Sequence, residues 1–210
     1  MKKLLTEFIG TFFLVLTIGL TTTANSPFAP LAIGSVLMVM VYMGGHISGG
    51  HFNPAVSLGV LLRGKLANRD FVPYVMAQLL GSIAAAAAVL LIVGKTFAPA
   101  PGEGVPLLSA LLIEALFGFA LVLVVLNVAT HKGTAGNSHY GLAIGFTVLA
   151  GAFAGGGISG GAFNPAVGIG PTLINATLGN GSFDHLWLYL VGPLSGGVLA
   201  AVVSGVQEQE

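Results

Sequence analysis

The sequence predicts an all-α membrane protein in which six transmembrane helices and two re-entrant half-helices are arranged as an inverted repeat. Of its 210 residues, 55% are hydrophobic and only 7% are charged, and the mean hydropathy is +0.94. Soluble domains carry about 25% charged residues, so this chain has too few polar side chains to cover a surface that faces water. A motif that occurs twice predicts the half-helices: GGHISGGHFNPAV at 44–56 returns as GGGISGGAFNPAV at 155–167.

Six apolar runs have the length of a membrane span, because a hydrocarbon core about 30 Å thick needs about 20 apolar residues. The first run follows Met1-Lys2-Lys3 and lacks an obvious small-residue cleavage site, so we interpret it as a retained span rather than a signal peptide. Turn-forming residues separate the runs, as in APAPGEGVP at 98–106. The predicted spans are 4–23, 31–46, 71–93, 107–129, 140–156 and 186–206.

The positive charges predict the orientation of these spans. If the N-terminus is cytoplasmic and the spans alternate, only Lys95 faces outward. Six of the seven basic residues then obey the positive-inside rule, which predicts cytoplasmic N- and C-termini. These six are Lys2, Lys3, Arg63, Lys65, Arg69 and Lys132. Short loops in a chain of this length favour a prokaryotic inner membrane as its location.

The two halves of the chain read as copies of one unit. Residues 31–56 align without a gap to residues 142–167, and 15 of these 26 positions are identical. Each copy holds three spans, an odd number, so the second copy must lie upside down in the bilayer. We therefore predict one transmembrane domain over residues 1–210, built from inverted repeats at about 1–95 and 107–206.

Each Asn-Pro-Ala sequence is predicted to begin a half-helix. The segments 53–64 and 164–175 would be about 18 Å long at ~1.5 Å per residue, roughly half of the hydrocarbon core. Asn suits the N-cap and Pro the first helical position, and an N-cap Asn keeps an NH2 group to offer a ligand. The motif residues are Asn53, Pro54, Ala55, Asn164, Pro165 and Ala166.

Inverted symmetry would bring the two half-helix N-termini together at the membrane midplane. Together they carry about one positive charge, which would repel a monovalent cation ~4 Å away by roughly 4 kcal/mol at an effective dielectric near 20. The glycine-rich stretches before the half-helices would expose backbone carbonyls, so the pattern predicts a single-file path for neutral, hydrogen-bonding molecules. The predicted pore carbonyls belong to Gly49, Gly50, His51, Gly160 and Ala162.

The chain resembles the aquaporin (major intrinsic protein) family in three features. These are the paired HISGGHFNPAV and ISGGAFNPAV sequences, a Glu in spans one and four, and the layout of six spans plus two half-spans. The resemblance covers essentially the whole chain. It implies a homotetramer in the lipid bilayer with one pore per subunit that passes water or small uncharged solutes passively. No cofactor or metal is implied, and a formal net charge of zero argues against nucleic acid as a partner.

By the same resemblance, the family's narrow filter corresponds to Ile33, Ala152, Gly161 and Val167. Most relatives have arginine at the last of these positions, and strict water channels usually add an aromatic residue and a histidine at the first two. This chain has none of the three, and no Lys or Arg follows Lys132. We therefore expect a wide, apolar filter that admits ammonia, hydrogen peroxide and urea and extends to glycerol or gases; the alternative is an ordinary water channel.

Glu7 and Glu114 are ionisable groups in predicted membrane helices and usually indicate function. The family resemblance favours a structural role, in which each carboxylate supports the glycine-rich loop of its own half, with His46 as a further loop support. A proton relay through these acids would instead indicate an ion-coupled transporter, and a structural membrane protein with a vestigial pore is a third possibility. An enzyme is the least expected class, because no nucleophile–base constellation, metal-ligand cluster or phosphate loop is visible. Trp187 and Tyr189 are expected to anchor span six at the outer interface.

Overall fold

The structure is a computed structural model that describes residues 1–208, and eight α-helices dominate this part of the chain. Six of them are long and apolar enough to cross a membrane, in agreement with the six predicted spans. The helices are α1 (Lys2–Thr23), α2 (Ala29–Ser48), α3 (Pro54–Leu62), α4 (Asn68–Val93), α5 (Leu107–Val125), α6 (Tyr140–Ser159), α7 (Pro165–Leu178) and α8 (Leu186–Gln207).

The two short helices, α3 and α7, are the predicted half-helices. Helix α7 continues through Pro171 to Leu178 and is therefore longer than the predicted segment 164–175. The fourth span also differs at its end, because α5 passes into a π-helical turn, Leu126–Thr130, followed by a 3₁₀ turn, Lys132–Thr134. The chain thus repeats one order twice: two long helices, a half-helix and a third long helix.

Each half-helix crosses to the other half of the molecule. Helix α3 packs on α8, and α7 packs on α4. Within the halves, α1 contacts α2 and α4, while α5 contacts α6 and α8; α2 and α6 then join the halves directly. The two re-entrant segments are therefore enclosed by spanning helices, which is the environment that irregular backbone needs at membrane depth.

Glycines allow α2 and α6 to approach at backbone distance. A Cβ added at Gly145 would lie 2.5 Å from the carbonyl oxygen of Gly34, and a backbone atom cannot move away as a flexible side chain can. Gly157, on the same helix α6, has no atom within 4 Å of the corresponding point. Close packing between small residues is a common means of helix association in lipid.

We expect Gly145→Val to destabilise the protein by about 2–3 kcal/mol, because the added side chain overpacks the contact between α2 and α6. Gly157→Val is the matched control at an exposed position and should leave stability close to that of the wild type. The midpoint of thermal unfolding in detergent measures both. Equal midpoints for the two variants would contradict this account of the contact.

Candidate pore

Two asparagines begin the half-helices. Asn53 and Asn164 have extended backbones, with φ of -158° and -155°, and cap α3 and α7. The side-chain oxygen of Asn53 accepts a hydrogen bond from the N–H of Ala55 at 2.8 Å, and that of Asn164 accepts one from Ala166 at 2.9 Å. Each cap satisfies one of the N–H groups that a helix start leaves without a partner.

The same two asparagines also link the halves to each other. Nδ2 of Asn53 donates to the carbonyl of Phe163 at 3.0 Å, and Nδ2 of Asn164 donates to the carbonyl of Phe52 at 2.9 Å. Since a side-chain amide has two N–H donors, one N–H of each asparagine remains for a guest. Both side chains line the narrow cavity at the centre of the molecule.

The backbone between α2 and α3, and between α6 and α7, turns through left-handed conformations. Gly49 and Gly50 have φ of 95° and 63°, and the equivalent glycines of the second loop have φ of 88° and 65°. Phe52 and Phe163 follow with φ of 48° and 49°, which is strained for a residue with a Cβ. This backbone persists because a buried carboxylate holds each loop.

Glu7, which is 0% exposed, holds the first loop. Its Oε1 accepts hydrogen bonds from the hydroxyl of Ser48 at 2.6 Å and the N–H of His51 at 3.0 Å. Its Oε2 accepts from the N–H of Phe52 at 2.7 Å and from Nε2 of Gln78 at 2.8 Å. All four donors stabilise the ionised carboxylate, so its oxygens are occupied by the first loop and by α4.

Glu114, also 0% exposed, holds the second loop in the same way. It accepts hydrogen bonds from the hydroxyl of Ser159 at 2.6 Å, from the N–H of Ala162 at 2.9 Å and from the N–H of Phe163 at 2.6 Å. Glu114 lacks the fourth hydrogen bond, which Gln78 of α4 donates to Glu7. The position equivalent to Gln78 on α8 is Pro193, which has no side-chain donor.

Two tyrosines support these loops and were not found by sequence reasoning. The hydroxyl of Tyr74 donates to the carbonyl of Ser48 at 2.7 Å, and that of Tyr189 donates to the carbonyl of Ser159 at 2.5 Å. The expectation that Tyr189 anchors span six at the interface is therefore wrong, because the side chain is fully buried. Trp187 is 42% exposed, which leaves it free to contact lipid.

The expectation that His46 supports the first loop is also wrong. His46 lies in the last turn of α2 with its side chain exposed. The histidine that is buried in the loop is His51, whose Nδ1 lies 3.0 Å from the hydroxyl of Ser57. Both histidines belong to the repeated motif. Because α2 ends at Ser48, His46 stays on the exposed side of the helix, and His51 lies in the buried loop that follows.

The carbonyl oxygens of the two loops are left open. Within residues 1–208, no hydrogen bond from the protein reaches the carbonyls of residues 49–51 or 160–162. Carbonyls without a protein partner are expected where a backbone lines a wet path. All five predicted pore carbonyls, those of Gly49, Gly50, His51, Gly160 and Ala162, fall in these two stretches.

Three cavities follow one another through the molecule. The vestibule that Lys95 lines, named the outer vestibule here, has a volume of about 540 Å³. The vestibule that Lys65 lines, named the inner vestibule, has a volume of about 330 Å³, and the narrow cavity between the two has a volume of about 20 Å³. Ile33, Gly161 and Val167 line both the outer vestibule and the narrow cavity. His51 lines both the narrow cavity and the inner vestibule. The three cavities thus outline a single path.

The four residues assigned to the filter meet at the floor of the outer vestibule. Ile33, Ala152, Gly161 and Val167 all line it, and Val167 is 3% exposed. Ile18 of α1 lines both the vestibule and the narrow cavity as well, and sequence reasoning missed it because α1 carries no motif at that point. The aperture is therefore built from aliphatic side chains and glycine backbone.

Comparison with known proteins agrees with this architecture. A family model described as Major intrinsic protein matches residues 1–204. Glycerol uptake facilitator protein-like 6 of Lactiplantibacillus plantarum is 36% identical over the full length of both chains. Aquaporin NIP1-1 of Zea mays is 36% identical over 95% of this chain and 72% of its own length, and Nodulin-26 of Glycine max is 35% identical over 98% and 78%.

Among solved structures, the aquaglyceroporin of Plasmodium falciparum has the same fold, with a TM-score of 0.85 over 96% of this chain and 93% of its own, at 24% sequence identity. The buried Asn-Pro-Ala pair, the six spanning helices and the match over residues 1–204 lead to one conclusion. The chain belongs to the major intrinsic protein family, whose members are multi-pass membrane channels and not enzymes.

Proposed function

We propose that this protein is a passive channel whose wide, apolar outer aperture admits uncharged solutes larger than water. The observation that carries the proposal is the aperture itself, where Ile33, Ala152, Gly161 and Val167 supply no charged or hydrogen-bonding side chain. Water, ammonia, hydrogen peroxide and urea are the expected solutes, and the range extends to glycerol or gases. The name of the Lactiplantibacillus plantarum relative, a glycerol uptake facilitator-like protein, agrees with passage of solutes larger than water.

Backbone and asparagine groups supply the polar contacts that such solutes need. Carbonyls of the second loop offer acceptors at the aperture, and the free N–H groups of Asn53 and Asn164 offer donors farther in. A solute that carries both donors and acceptors can exchange its water shell for these groups. A small ion cannot do so at comparable cost, because the half-helix N-termini repel cations and no side chain of the aperture can pair with an ion.

Val167→Arg tests the aperture directly. Arg should reduce urea and glycerol permeability by at least ~10-fold, equivalent to about 1.4 kcal/mol of barrier, while water permeability changes by less. Val167→Met adds length without charge and separates the steric effect from the electrostatic one. The measurement is stopped-flow light scattering on proteoliposomes, which reports water and solute flux on the same vesicles. Rapid water flow through the wild type without urea, ammonia or glycerol flux would contradict the proposal.

The second candidate is an ordinary water channel. The small volume of the narrow cavity, about 20 Å³ around the two asparagines, favours it. The same stopped-flow panel distinguishes the two functions, because a water channel would exclude urea in both the wild type and the Val167→Arg variant. An ion-coupled transporter is disfavoured because both membrane carboxylates are fully buried and bonded to their loops; linear, gradient-independent flux would exclude it.

We further propose a homotetramer in a prokaryotic inner membrane, with both termini in the cytoplasm. Lys3 and Lys65 line the vestibule at one end of the path and Lys95 lines the one at the other, which supports the orientation expected from the positive-inside rule. Light scattering of the detergent-solubilised protein should give four times the chain mass of 21.2 kDa after correction for detergent. A mass of one chain would contradict the tetramer.

A further inference from the structure

The narrow cavity contains few polar side chains. Of the residues that line it, only His51, Asn53 and Asn164 carry a polar side chain; the others are aliphatic, aromatic or glycine. Each half of the molecule contributes one of the two asparagines at equivalent positions, whereas the position equivalent to His51 in the second loop is Ala162. The imidazole is therefore a polar contact that belongs to the inner end of the path alone.

A hydrogen-bonded chain holds this imidazole. Nε2 of Gln78 donates to Oε2 of Glu7 at 2.8 Å and to the hydroxyl of Ser57 at 2.9 Å, and that hydroxyl lies 3.0 Å from Nδ1 of His51. The carboxylate accepts only, so it orients the Gln78 amide with its NH2 group toward Glu7 and Ser57. Both N–H groups of Gln78 are then in use, and Ser57 must accept one of them.

The direction of these hydrogen bonds, from Gln78 through Ser57 to His51, determines the tautomer of His51. Because Ser57 accepts from Gln78, the hydrogen of its own hydroxyl is free to point at Nδ1 of His51. A neutral imidazole that accepts at Nδ1 carries its hydrogen on Nε2. Nε2 is the ring atom nearest to Gly49, and a Cβ built there would lie 2.9 Å from it. Gly49 and His51 both line the inner vestibule, so the Nε2–H group is a donor at the inner mouth of the narrow cavity.

The second half of the molecule has none of these parts. The positions equivalent to His51, Ser57 and Gln78 are Ala162, Gly168 and Pro193. A Cβ at Gly168 would lie 2.5 Å from Cβ of Tyr189, so a serine does not fit there. The buried Oε1 of Gln78 makes no hydrogen bond within residues 1–208, so the amide is held only through its NH2 group.

We propose that His51 is the residue that determines solute specificity in this channel, and that Ser57 and Gln78 position it. The polar selection step lies at the inner end of the path, where the Nε2–H group donates to the carbonyl or hydroxyl oxygen of a passing solute and the ring narrows the path. This inference rests on the proposed function, in which the outer aperture discriminates weakly.

The first experiment replaces His51 by alanine, the residue that the second loop carries at this place. Water already fits the path, so removal of the ring should help larger solutes more than water. We expect the ratio of urea to water permeability in proteoliposomes to rise by about 5-fold or more, because the steric barrier that the ring sets for urea outweighs the hydrogen bond that urea loses. An unchanged ratio would overturn the proposal.

The second experiment tests positioning with a double-mutant cycle. Ser57→Ala should raise the ratio in the wild-type background and have no further effect in the His51→Ala background. Ser82→Ala is the matched control, since the Ser82 hydroxyl donates to the carbonyl of Ala166 at 2.6 Å, another bond between α4 and a half-helix. Whatever its own effect, that effect should be the same in both backgrounds. If Ser57→Ala acted equally with and without His51, its role would be structural only and positioning would be refuted.

The two proposals fail separately. A wild type that is closed to urea would contradict the wide aperture, yet the appearance of urea flux in His51→Ala would still support selection at the inner end. A wild type that is open to urea and a His51→Ala variant with the same urea-to-water ratio would support the aperture and overturn the role of His51.

Discussion

Glu114→Gln is expected to destabilise the protein by about 3 kcal/mol or more and to abolish conduction. The carboxylate accepts three hydrogen bonds from three donors of the second loop, Ser159, Ala162 and Phe163. The NH2 group of a glutamine is itself a donor and would lie against at least one of these three donors. That hydrogen bond is then lost and a buried donor is left without an acceptor. The loop then loses the bonds that hold Phe163 at its positive φ. The midpoint of thermal unfolding in detergent and the water permeability of proteoliposomes measure the two effects.

Two comparisons make this result specific. Glu103→Gln removes a carboxylate from the exposed turn before α5 and should leave both measurements unchanged. Glu7→Gln should be less damaging than Glu114→Gln, because the Gln78 amide can rotate and present its unpaired Oε1 to the new NH2 group. A Glu114→Gln protein with wild-type stability and flux would show that the carboxylate does not hold the loop.

Asn53→Asp is expected to open the path to monovalent cations. The carboxylate retains the cap on Ala55, but it brings a negative charge to the place where two half-helix N-termini meet. The repulsion of roughly 4 kcal/mol that those termini exert on a cation at ~4 Å would be largely cancelled. Cation permeability should then rise by up to ~10³-fold, and it can be measured as conductance of planar bilayers in sodium chloride.

The control for this variant is Asn68→Asp, which adds the same charge at the exposed start of α4. It should leave the bilayers non-conducting. The Asn53→Asp carboxylate also faces the carbonyl of Phe163, to which the amide donated at 3.0 Å, so some loss of stability is expected beside the gain of conductance. If the variant folds and remains closed to sodium, the helix termini are not the barrier to cations.

The number and type of the helices could be predicted from the sequence because those signals are local or repeated. A bilayer demands a minimum apolar length, and the two copies of Asn-Pro-Ala identify the half-helices directly. The end of α7 could not be predicted in this way. The carbonyl of Asn175 accepts hydrogen bonds from Gly179 and Gly181, and its side chain accepts one from Thr96 at 2.8 Å. That partner is 79 residues away, so no local pattern contains it.

The supporting residues of the site were missed for a related reason. Tyr74 and Tyr189 are ordinary aromatic residues in apolar runs, and only the faces that α4 and α8 turn inward give them a role. One signal was present, because aligning residues 70–86 with residues 185–201 pairs the two tyrosines. No such signal exists for Gln78 and Ser57, whose equivalents in the second half are Pro193 and Gly168.

The reciprocal bonds of Asn53 and Asn164 have a consequence for biosynthesis. Asn53 and its acceptor on Phe163 are 110 residues apart, so at about 5–20 residues per second the ribosome needs roughly 5–20 s to deliver the acceptor after the donor. During that interval the side-chain amide of Asn53 lacks this acceptor. Neither half can therefore complete these two bonds before the other half has been translated.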